Sequence, residues 1–209
     1  MAFVTDTIHE EGVAGPWFWA AAWSAAPGEQ VSGDRHVVLH AGDCTILAVI
    51  DALGHGPKAA VVAGRAADAL AVAATACDTR ALARACHTAL RDTRGAVLTV
   101  AIHDSHAGSL ELLAVGNVEG ELHGGEAVEH TCNAPGIVGH NLPQLHPRRM
   151  PAAPGDVLVL ATDGIDAGFG ATVRASTRSV SGAARRVIET HRRGNDDALV
   201  LVARLDGEA

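Results

Sequence analysis

Val49-Ile50-Asp51-Ala52-Leu53-Gly54-His55-Gly56-Pro57-Lys58 decides how this chain is read. The apolar run just before Asp51, residues 45–50, has the length and composition of a buried strand. It ends on a carboxylate. Gly54 and Gly56 allow the backbone to turn sharply and approach a ligand. Pro57 suits the first position of a helix, where its missing N–H costs nothing. The alanine-rich residues 57–76 supply that helix. The order is strand, acidic tip, glycine turn, helix. By itself Asp51 reads equally as a turn or cap residue; its meaning comes from the rest of the chain.

The chain has 209 residues, 48% of them hydrophobic and 3% aromatic. One domain, 1–209, packed on small aliphatic side chains, is expected. The net charge of -8 (16 Lys and Arg against 24 Asp and Glu) argues against nucleic acid or an anionic membrane as partner. Cys44, Cys77, Cys86 and Cys132 form no CxxC pair. Zinc is therefore not expected, and buried free thiols in a reducing compartment are. The first twelve residues lack a signal pattern, and Arg65 and Asp68 interrupt the alanine-rich helix as a membrane span. A cytoplasmic location follows.

Trp17, Trp19 and Trp23 share one parity, as on a strand with one large-residue face turned to the core. Strands are also expected over 36–40, 96–102, 110–115, 157–161 and 198–203. A second helix near 79–91, capped by Asp78 or Thr79, and a third over 181–193 complete the pattern. Residues 133–154, rich in Gly and Pro, read as loop plus irregular strand, with His140 and His146 on its surface, and as a candidate for partner recognition. The whole reads as an α+β fold rich in antiparallel strands.

Three apolar strands carry acidic residues at one end: Asp51 and Asp163 follow two of them, and Asp196 and Asp197 precede the last. Antiparallel strands can bring these ends together. Carboxylates so close would repel and raise each other's pKa, and divalent cations would remove the conflict. An all-oxygen set suits Mg²⁺ or Mn²⁺.

The chain resembles the metal-dependent protein phosphatases of the protein phosphatase 2C superfamily, in particular the SpoIIE-type serine phosphatases of the small RsbX kind. The matching stretches are Val31-Ser32-Gly33-Asp34, Asp51-Ala52-Leu53-Gly54-His55-Gly56, Arg94-Gly95 with the strand after it, Gly116-Asn117, Thr162-Asp163-Gly164 and Asn195-Asp196-Asp197. Each alone is weak; their order covers nearly the whole chain. The resemblance implies a four-layer α-β-β-α sandwich with two Mn²⁺ or Mg²⁺ ions between mainly antiparallel sheets. On the family's pattern Asp51 bridges both ions and Ala52 gives a backbone carbonyl. Asp163 and Asp196 complete one site, and Asp34 belongs to the other or to its water shell. Asp197 is the second candidate for the role given to Asp196. Gly54, His55, Gly56 and Gly164 support the site. The family usually has glycine at the position of Ala52, and alanine serves there if its φ is negative.

The implied activity is hydrolysis of phosphoserine or phosphothreonine on a regulatory protein, of the STAS type in a stress or sigma-factor pathway. Asp51, Asp163 and Asp196 would act through metal-activated water. Two alternatives compete. One is a catalytically weak or inactive phosphatase-fold binding module in the same signalling pathway. The other is a GHKL-type kinase, whose Asp-x-Gly-x-Gly motif residues 51–56 superficially match. That fold needs an upstream asparagine, and the first one here is Asn117.

Overall fold

The computed structural model describes residues 7–125, 127–176 and 179–207. The first hairpin is β1 (Ile8–Ala14) with β2 (Trp17–Ser24), and the second is β3 (Asp34–Ala41) with β4 (Cys44–Ala52). Helices α1 (Gly56–Ala73) and α2 (Thr79–Ala89) lead to β5 (Ala96–Asp104) and β6 (Ser109–Val115). Four shorter strands follow: β7 (Glu119–Gly124), β8 (Ala127–His130), β9 (Asn133–Ala134) and β10 (Arg148–Pro151). After β11 (Val157–Ala161) come α3 (Phe169–Arg174), α4 (Val180–His191) and the last strand, β12 (Ala198–Leu205).

Two sheets form, one in the order β1-β2-β12-β11-β7-β8 and the other β10-β6-β5-β4-β3, with β9 added parallel to β6. Every other pairing is antiparallel. The period-two alternation of strand side chains divides the core into layers. Leu47 and Val49 of β4 meet Trp17, Leu158, Leu160, Leu199 and Leu201 between the sheets. Ile46, Ala48 and Ile50 of β4 face α1 and α2, through Val62, Ala66, Leu70 and Leu82. On the far side Ala20, Val159, Val200 and Val202 pack on α3 and α4 through Phe169, Val173, Val187 and Ile188. The expected α-β-β-α sandwich of two mainly antiparallel sheets is the observed one.

The alanines of α1 let the helix lie close on its sheet, and full burial of a side chain such as Leu70 contributes about 2 kcal/mol. Counted with the 3₁₀ turn at Ala74–Ala76, this is the one helix among the described residues with the length and apolarity to cross a bilayer. Its buried face instead belongs to the core of the second sheet.

Three local expectations change. The first helix is α-helical only to Ala73, and Cys77 beyond the 3₁₀ turn adopts a left-handed φ of 47°. Cys44 and Cys77 are joined in a disulfide rather than free, with Cα atoms 6.1 Å apart. Residues 33 apart in sequence become neighbours because α1 runs back along β4, a proximity that Cys spacing alone cannot reveal. Cys86 is the buried free thiol, pushed up to about 12 by burial, and Cys132 is exposed. β1 and α3 were not expected: β1 exposes most of its seven residues, and α3 has only six. Asp78 caps α2, accepting from the amides of Arg80 and Ala81. The 133–154 loop is tied down, by Val138 pairing with Ala96 and by His140 bonding the Thr93 carbonyl.

Candidate functional site

β3 and β4 pair so that Asp34 stands directly opposite Asp51. Directly opposed residues share a face. Here it is the inter-sheet face, because Leu47 and Val49, in step with Asp51, pack there. β11 and β12 of the other sheet end at the same edge, which brings Thr162-Asp163 and Asp196-Asp197 beside the pair. All five expected carboxylates thus gather where the two sheets end together.

Their electrostatics show the crowding. Burial pushes Asp51 up to about 7, and the charges of Asp163, Asp196 and Asp197 add to it. Asp34 is raised well above the usual carboxylate range, first by burial and then by the charge of Asp51, against the hydrogen bond from Thr162. Asp197 is raised by burial although two backbone amides bond to it.

Neutral donors hold several of these groups. The Thr162 hydroxyl donates to Asp34 Oδ2 at 2.8 Å and accepts from the Leu199 amide at 2.9 Å, which pins one sheet end to the other. Asn117 Nδ2 donates to Asp163 Oδ2 at 2.7 Å. Asp197 accepts the amides of Ala26 and Gly33, one on each oxygen, both at 2.7 Å. Asp196 is exposed and receives the Asp197 amide at 2.8 Å. Among the described residues, no three His, Cys, Asp or Glu side chains stand ready to hold one ion between them. The donor set is nonetheless all oxygen, and its mutual repulsion is what a divalent cation would relieve. The residues present fit such an ion.

The glycine turn behaves as its sequence requires. Gly54 and Gly56 have φ of 84° and 73°, left-handed values that glycine takes without penalty. Ala52 lies in β4 and is not left-handed, since Cys77 is the only non-glycine with positive φ among the described residues. Alanine in place of glycine there carries no backbone strain. His55 opens α1 and bonds Glu29 through Nδ1 at 2.8 Å, on the exposed rim. Gly164 is required by close approach: a Cβ there would stand 1.9 Å from the Asp197 carbonyl oxygen. Arg94 braces the turn by donating to the Leu53 carbonyl at 3.0 Å.

The family model for Stage II sporulation protein E matches residues 41–206. The chain belongs to the SpoIIE family. Solved structures agree. The chain is 28% identical to a protein solved in work on the bacterial stressosome as a modular system adapted to control secondary messenger signalling. That match has a TM-score of 0.83 and covers 94% of this chain and 100% of the other. RsbX in complex with magnesium is 18% identical, with a TM-score of 0.85 over 95% of this chain and 100% of that one. The phosphatase domain of SpoIIE from Bacillus subtilis, solved with a fragment of its regulatory domain, is 22% identical. Its TM-score is 0.71 over 99% of this chain and 65% of that one. No curated protein sequence matches the chain. The fold is that of the metal-dependent protein phosphatases, and it is RsbX-like.

Hydrogen bonds bring three further residues to the acidic edge and its rim. Asn117, Thr162 and Glu29 were not singled out as site residues from the sequence. Asn117 and Thr162 sat inside stretches already matched to the family, but nothing local to them shows that Asn117 reaches Asp163 or that Thr162 reaches Asp34. Glu29 sits in a turn with no motif at all.

Proposed function

We propose that this protein is a Mn²⁺- or Mg²⁺-dependent serine/threonine phosphatase, with the whole chain, 1–209, acting as one phosphatase domain. The observation that carries the proposal is the acidic edge itself. Asp34 and Asp51 face each other across β3 and β4, and Asp51 is pushed up to about 7 by burial and by three neighbouring carboxylates. Such an arrangement is costly unless cations occupy it.

Asp51, Asp163, Asp196 and the Ala52 carbonyl would hold the ions, with Asp34 bound directly or through water. When bound, divalent ions lower the pKa of an attacking water and neutralise phosphoryl oxygens. Asp196 suits the ligand role better than Asp197, whose two oxygens are already committed to the backbone amides of Ala26 and Gly33. Asn117 orients Asp163, Thr162 orients Asp34, and His55 with Glu29 supports the turn. Gly54, Gly56 and Gly164 let the backbone pass.

The substrate we infer is phosphoserine or phosphothreonine on a regulatory protein of the STAS type, in a cytoplasmic stress or sigma-factor pathway. Likeness to RsbX and to the structure from stressosome work supports this reading.

The test is hydrolysis of p-nitrophenyl phosphate with Mn²⁺, Mg²⁺ or EDTA, by wild type and Asp51→Asn. Metal-dependent turnover that the variant loses is expected. A folded wild type inactive with every metal would overturn the proposal in favour of a binding module that keeps the phosphatase fold.

A further inference from the structure

Among the described residues β3 is the last strand of its sheet, and its eight residues bond β4 on one side only. A strand edge of that length presents a row of backbone donors and acceptors with no strand to pair them. Both neighbouring layers extend past this edge. Below, β1 and β2 continue outward: Ile8 and Glu10 share the inter-sheet face with Trp19 and Trp23, yet Ile8 there is 51% exposed. Above, α1 presents Ala60, Gly64, Ala67 and Ala71. Between them lies a groove of about 1290 Å³ with β3 along its side. It has the position and bounding layers of one more strand of the second sheet, with large aromatic side chains on one wall and small ones on the other.

Two features identify the occupant. The groove is continuous with the acidic edge, since Asp34, the first residue of β3, and Glu29 line its end. Its remaining carboxylates, Glu10, which meets His36 Nε2 at 3.2 Å, and Asp68, outnumber the one guanidinium, that of Arg35. We propose that an extended segment of the phosphoprotein substrate lies in this groove and adds a strand to β3. Backbone pairing would supply affinity and delivery of the phosphoryl group to the acidic edge. The segment is β-forming and carries basic residues near the phosphorylated one. The inference rests on the phosphatase reading above.

The probes are two synthetic peptides of alternating Val and Lys, roughly eight residues to match β3 at 3.3 Å per residue. One carries phosphoserine at its N-terminus and the other at its C-terminus. The measurement is amide hydrogen exchange over residues 34–41 in EDTA, where nothing is turned over. One of the peptides should slow the groove-facing amides of β3 about tenfold or more. The same peptide with alternate N-methylated amides should not. Gly64→Trp, its folding checked by thermal midpoint, should remove the protection by filling the groove. Val61→Trp, on the same helix but outside the groove, should retain it.

Failure of both peptides at millimolar concentration overturns the proposal, as does equal protection by the N-methylated form. Protection that needs no peptide and grows with protein concentration assigns the edge to a second copy of the chain and also overturns it. Hydrolysis of p-nitrophenyl phosphate, measured separately, keeps the two readings apart. Turnover without β3 protection removes the groove alone. Protection without turnover removes the phosphatase reading and with it the segment's role as substrate, leaving β3 only as a strand-binding edge.

Discussion

Asp51 carries the largest consequence of any single side chain. Its carboxyl is raised from 3.8 to about 7 when metal-free and folded. Between those values the folded state holds a proton that the unfolded state has lost, so stability falls as pH rises through that window and levels off above it. The thermal midpoint of EDTA-treated protein should decline across that range, and Asp51→Asn should flatten the decline. The same substitution should cut Mn²⁺-dependent turnover about 100-fold or more, by removing a charge that only metal-assisted chemistry uses. Asp196 and Asp197, adjacent in sequence, should separate by experiment. Asp197→Ala leaves two buried amides without acceptors and should cost about 2–4 kcal/mol in denaturant unfolding. Asp196→Ala, at an exposed site, should change stability by less than about 0.5 kcal/mol while abolishing turnover. If Asp197→Ala unfolds no more easily and Asp196→Ala retains activity, the two roles are exchanged.

The elements were unequally legible. β4, β5, β11 and β12 are apolar runs because both of their faces are buried, and that produces a strong local signal. β1 is half-polar because it lies at a sheet edge, and its pairing with β2 rather than its own composition makes it a strand. α3 is a single short stretch held by Phe169 and Val173 in the outer core, below the length at which periodicity can be read. The Cys44–Cys77 disulfide depends on α1 folding back along β4. It closes a loop of 33 residues, so reduction should lower stability by about 3–4 kcal/mol. A midpoint unchanged by reductant, with both thiols shown to be free, would contradict this. Gly164 joins two elements, and Gly164→Ala should destabilise the junction of β11 with β12 because its methyl would overlap the Asp197 carbonyl.

For the molecule as a whole, cation binding and folding should be linked, since the unfolded chain has no assembled acidic edge. Mn²⁺ at a hundred times its dissociation constant should raise stability by about 2.7 kcal/mol, read as a higher thermal midpoint, and Asp51→Asn should lose that gain. An equal shift in the variant would place the ion elsewhere. What the amino-acid order determined by itself was local or ordinal: apolar runs, the glycine turn, and acidic residues falling at strand ends in the SpoIIE order. Those are set by side-chain chemistry and spacing, which need no partner. Tertiary structure alone decided which side chains meet. Asp34 opposes Asp51, Thr162 reaches across the sheets to Asp34, Asp197 is a strut, Asp196 is left exposed, and among the described residues the edge of β3 stays open beside α1. Each of these depends on strand register and on the packing of segments far apart in sequence, and neither is a property of any one stretch of the chain.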